Sequence, residues 1–92
     1  HHFDPKLVQA FVRTLGIYPT GSLVRLESNR MGVVMEQNEG NLLEPVVRVF
    51  YHAGKQHYTP PELVDLSKVQ DRIASYESFE KWNIDPQPWL PS

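Results

Sequence analysis

The chain has 92 residues, no cysteine, 40% hydrophobic and 22% charged residues, and a formal net charge of -2. That length allows one small domain with a modest core, and the composition is that of a globular chain rather than a disordered one. Disulfides and thiolate metal sites are excluded, the charge offers no pull on nucleic acid or an anionic membrane, and no apolar run approaches the roughly 20 residues of a membrane span.

The first predicted element is a helix over 5–15. Asp4 is a good N-cap, and Pro5 follows where a missing N–H costs nothing. Phe3 and Val8 occupy the two positions of a hydrophobic staple. Leu7, Val8, Phe11, Val12 and Leu15 form one apolar stripe, and Gly16 with Pro19 ends the helix. After Gly21 the pattern turns to β. Leu23, Val24 and Leu26 make a short strand, Ser28-Asn29-Arg30 a tight turn, and Met31 to Gln37 a second strand with Met31, Val33 and Met35 on one face. The segment Asn38-Glu39-Gly40-Asn41 is loop chemistry.

A third strand is predicted from Val46 to His52. Val47, Val49 and Tyr51 share one face and Val46 and Phe50 the other, so it is expected to be central and covered twice. A brief strand around His57-Tyr58-Thr59 is expected to end at Pro60-Pro61, because proline cannot donate to a ladder. Leu63 to Leu66 is a further short strand. From 68 to 77 two readings stand side by side. Ser67 and Gln70 match a capping box, yet Arg72 to Tyr76 fits an extended edge equally well. The end, with Pro86, Pro88 and Pro91, is expected to be irregular and held by Trp82 and Trp89. The predicted fold is α+β: an N-terminal amphipathic helix followed by a small antiparallel sheet or SH3-like half-barrel. The predicted division is a helix at 1–16, a β domain at 17–67 and a tail at 68–92.

Phe3-Asp4-Pro5, Leu7-Val8-Gln9-Ala10-Phe11, Leu15-Gly16-Ile17-Tyr18-Pro19 and Gly21-Ser22-Leu23-Val24-Arg25-Leu26 carry a resemblance, continued by Gly32-Val33-Val34, Pro45-Val46-Val47-Arg48-Val49 and Val64-Asp65-Leu66-Ser67. This text resembles the segment that follows the catalytic helices in bacterial HD-GYP-type cyclic di-GMP phosphodiesterases. The resemblance implies a parent that hydrolyses cyclic di-GMP with two or three metal ions, such as iron or manganese, held by histidines and aspartates of a helical bundle. The His-Asp pair of that machinery is absent here, since no histidine is followed by aspartate. Ile17 separates Gly16 from Tyr18, so the Gly-Tyr-Pro signature is absent too. The expectation is therefore a non-catalytic, cytoplasmic C-terminal accessory domain with no catalytic, cofactor-binding or metal residue of its own.

Other groupings have plainer readings. His52 and His57 flank a turn and would bind zinc only with a third donor such as Glu62; two surface histidines is the preferred reading. No paired carboxylates suggest acid–base chemistry. The glycine-bounded hairpin from Gly21 to Val34 is similar to nucleic-acid-binding KOW barrels, but Arg25, Arg30, Arg48 and Lys55 are matched by Glu27, Glu36, Glu39 and Glu44, which removes the basic excess such binding needs. A free-standing SH3-like protein-interaction module is the main alternative, and a small nucleic-acid-binding barrel is ranked below it. The candidate interface residues are Phe11, Tyr18, Trp82 and Trp89, large rings in segments with little other core. Their expected partner is the catalytic helical domain of the same parent chain. Self-association is expected where that partner is missing.

Overall fold

A computed structural model describes residues 17–91. The helix expected over 5–15, and with it Phe11, lies outside the described residues.

β1 spans Leu23–Leu26 and β2 Arg30–Glu36, joined by the expected tight turn. Asn29 takes φ 68°, a left-handed conformation that asparagine tolerates better than most residues, and its N–H donates to the Leu26 carbonyl at 2.9 Å. The turn is tied to a distant segment: Ser28 Oγ donates to Asp71 Oδ2 at 2.5 Å, and the Glu27 N–H to the Arg72 carbonyl at 2.9 Å. β3 spans Val46–His52, β4 His57–Asp65 and β5 Ile73–Glu77. All neighbours are antiparallel, in the order β4-β3-β2-β1-β5. The sequence thus runs as a meander through β4 and then returns across the sheet to place β5 against β1.

An apolar cluster lies on each face of this sheet. Leu23, Met31, Val33, Phe50, Tyr51, Ala53 and Ile84 form one, joined by Met35, Phe79, Trp82, Trp89 and Leu90. Val24, Leu26, Val34, Val47, Val49, Val64 and Leu66 form the other, with Tyr18 and Ile73 packed against it. Alternation along β1 and β2 sends odd-numbered residues to the first cluster and even-numbered ones to the second. Each fully buried valine or leucine contributes about 1.5–3 kcal/mol through removal of apolar surface from water. Packing between strands is close at Gly32, where an added Cβ would sit 2.2 Å from the Arg48 carbonyl oxygen.

The expected α+β class with an N-terminal helix is corrected, while the small antiparallel sheet of that expectation is present. Among the described residues there is no helix, and the architecture is an open, five-stranded antiparallel sheet whose edges β4 and β5 are not paired with each other. The physical reason lies at the C-terminal end. Residues 79–90, without regular structure, supply Phe79, Trp82, Ile84, Trp89 and Leu90 to cover one face.

Two local expectations also change, and one open reading is decided. β4 does not stop at Pro60-Pro61 but runs through them as an edge strand, where a missing N–H faces no partner. Three residues, Thr59, Pro60 and Pro61, stand opposite Phe50 alone, so the prolines sit in a bulge rather than in the ladder. A second irregularity, against β2, where Met31 faces Tyr51 and Gly32 faces Val49, leaves one extra residue in β3 and sends Tyr51 to the cluster that holds Phe50, away from Val47 and Val49. Within 68–77, residues Ile73–Glu77 are a strand paired with β1, so this part of the predicted tail belongs to the sheet.

Candidate interaction surface

Tyr18, Trp82 and Trp89 are all half-buried, but they occupy different places. Tyr18 packs against the second cluster, and its carbonyl accepts the Gln37 amide at 2.6 Å. Burial pushes its phenol above the ordinary value. Tyr18 also lines a shallow cleft of about 300 Å³ with Asn41, Leu43, Glu44, Arg72 and Ile73.

Trp82 and Trp89 lie on the opposite face, over the first cluster. Trp82 stands edge-on to Tyr51 with centroids 6.1 Å apart, and its Nε1–H donates to Glu77 Oε1 at 2.8 Å. Desolvation raises the Glu77 pKa most strongly. The hydrogen bonds from Ser75 and Trp82 and the charges of Lys81 and Arg25 together outweigh it, and the carboxyl titrates below the usual glutamate value of 4.5. Trp89 stacks on Phe50 with centroids 4.1 Å apart and planes within 6°. Tyr58 completes this group, 6.0 Å from Trp89 and 5.1 Å from Tyr51.

His52 and His57 are register partners with ring centroids 6.0 Å apart. His52 Nδ1 accepts the Lys55 N–H at 3.0 Å, and Glu62 turns to Arg30 at 3.6 Å. Among the described residues no group of three or more His, Cys, Asp or Glu is placed to hold a metal ion. The donor set on this sheet does not fit a polynuclear metal centre.

Among the described residues the ion pairs are Arg25–Glu77, Arg30–Glu62, Arg30–Asp71 and Arg72–Glu27, at 3.6–3.8 Å. Such exposed or half-exposed pairs stabilise little, but they consume most of the arginine charge of the sheet. Arg48 joins none of them. Its Nη1 donates to the Trp89 carbonyl at 3.3 Å, and its register partner across the strand is Leu63. Leu63 and Tyr58 are 64% and 54% exposed, far more than apolar residues of a covered face would be. In the sequence Arg48 enters only through charge balance and the resemblance, and Leu63 only as a strand residue; the β3–β4 register pairs the two, and the hydrogen bond joins Arg48 to Trp89.

No helix of the described residues is long and apolar enough to cross a membrane. No protein-family model matches the chain, and no solved structure matches it. Among curated proteins it is similar to a cyclic di-GMP phosphodiesterase. That relative is PA4108 of Pseudomonas aeruginosa, 50% identical over 85 residues that make up 90% of this chain and 20% of the relative. The chain therefore spans one fifth of the length of the curated relative it matches.

Proposed function

We propose that this chain is the non-catalytic C-terminal accessory domain of a cytoplasmic, bacterial HD-GYP-type cyclic di-GMP phosphodiesterase, bracing or regulating the catalytic helical domain. The observation that carries this reading is the 50% identity over 85 residues to a fifth of a cyclic di-GMP phosphodiesterase. The chemistry of the described residues fits a supporting role. Hydrolysis of a phosphodiester by metal ions needs several imidazoles and carboxylates converging on one point, to generate hydroxide and neutralise phosphoryl charge. His52 and His57 bring no third donor with them, and Asp65 is engaged with Ser67 and Asn38. In this reading the two or three metal ions of the parent belong to the helical domain, and the sheet acts by holding that domain's geometry or by altering it.

Deleting residues 17–92 from the full-length protein tests this. Turnover of cyclic di-GMP with manganese should fall, and the remaining helical part should melt at a lower temperature. A truncated protein with unchanged kcat/KM and unchanged Tm would remove the bracing or regulating role.

A further inference from the structure

Resting on that reading, we infer that the face formed by Arg48, Leu63, Tyr58 and Trp89 is the docking surface of this domain for the rest of its own chain, at a spot presenting an Asp or Glu carboxylate beside an apolar side chain. Four observations converge on this face. Arg48 and Leu63 are direct cross-strand partners, so their side chains leave the sheet on the same side. The Arg48 guanidinium reaches the Trp89 carbonyl, and Trp89 stacks on Tyr58, which makes the four residues one continuous patch. Leu63 and Tyr58 remain mostly exposed although they border a fully buried core. Arg48, half-buried, has no carboxylate partner among the described residues.

The last point selects the occupant. A guanidinium partly withdrawn from water and satisfied by one carbonyl retains most of its five donors, in a fork that matches a carboxylate. Closing an apolar surface over it strengthens that pairing, because the pair leaves bulk water. Arginine, tryptophan and tyrosine are also the residues on which binding energy concentrates in protein interfaces. An acidic group flanked by an apolar side chain satisfies both halves of the patch. The matched stretch is one fifth of the curated relative, so in a full-length chain of that kind the partner surface is tethered at high effective concentration, whereas a second copy must be met from solution.

Hydrogen–deuterium exchange on the full-length protein tests the inference without relying on catalysis. Amides of 57–59, 62–65, Trp89 and Leu90 should be protected, and Leu63→Glu should speed their exchange roughly tenfold or more, as loss of a buried interface contact implies. Arg48→Met should do the same, and Leu42→Glu, on an exposed residue outside the patch, should not. Leu63 is exposed enough that its replacement leaves the sheet folded, so it stands as the decisive variant if Arg48→Met unfolds. Unchanged exchange in Leu63→Glu overturns the inference. Protection that grows with protein concentration assigns the face to a second copy and overturns it too, as does protection that appears only on adding a separate protein. Absence of cyclic di-GMP turnover by the full-length protein would count against the functional reading, whereas the exchange result reports only on the surface.

Discussion

Replacing Gly32 with alanine should nearly unfold this domain, and the structure gives the scale. The new Cβ would meet the Arg48 carbonyl oxygen at 2.2 Å, its carbon at 2.7 Å and Val47 Cγ1 at 2.7 Å. Two of these atoms are backbone of β3, paired to β2 at Gly32↔Val49 and Val33↔Arg48, so they cannot retreat without parting the two strands. The cost is steric and not conformational, because Gly21 is the described glycine with positive φ and Gly32 is not. Overpacking against backbone belongs at the upper end of small-to-large changes, about 3 kcal/mol. A domain of this size loses about 4–8 °C in Tm per kcal/mol, so thermal unfolding followed by circular dichroism should shift down by roughly 12–24 °C. Gly40→Ala is the control, since nothing lies within 4 Å of its Cβ. It should leave Tm unchanged or slightly higher. A Gly32→Ala protein melting within ~2 °C of the parent would refute the close β2–β3 approach.

Further outcomes follow from the same packing. Phe50→Ala removes a fully buried ring stacked on Trp89 and should cost about 3–5 kcal/mol, read as a lowered urea midpoint with an unchanged slope. Trp82→Phe keeps a ring but deletes the donor to Glu77, so the Glu77 pKa, followed by NMR titration of its side chain, should rise toward the ordinary glutamate value. Because the folded pKa of Glu77 lies below 4.5, its contribution to stability is present above that value and is lost as pH falls through the folded pKa. Glu77→Gln should therefore flatten the acid limb of Tm against pH, and an unaltered limb would contradict this assignment. Asn38→Ala should cost about 1–2 kcal/mol, because its amide bridges the Glu44 carbonyl at 2.5 Å and Asp65 Oδ1 at 2.9 Å; chemical denaturation measures it.

Local patterning made β1, β2 and β3 legible. They are short runs of Val, Leu and Met bounded by turn residues, and a turn residue that accepts positive φ stands between the first two, as Asn29 does. β4 was read as two pieces because Pro60-Pro61 breaks a ladder only when the ladder needs both edges. Whether a strand lies at an edge is a property of the sheet and is invisible locally. Ile73–Glu77 carries helical and extended signals together, and pairing with β1 decides between them. The two-faced burial of β3 is readable from its composition, but the destination of Tyr51 is not, since the extra β3 residue opposite Met31 and Gly32 shifts the parity beyond it. The sequence picked out Trp89 by its size in a poor segment. Its neighbours on the exposed patch, Arg48 and Leu63, are 15 positions apart and meet only through strand register.

The most direct measurement compares cyclic di-GMP hydrolysis by the full-length protein and by these 92 residues alone, each loaded in turn with manganese and with iron. A supporting domain predicts turnover by the full-length protein and none by the 92 residues. Metal-dependent turnover by the 92 residues alone would contradict the account.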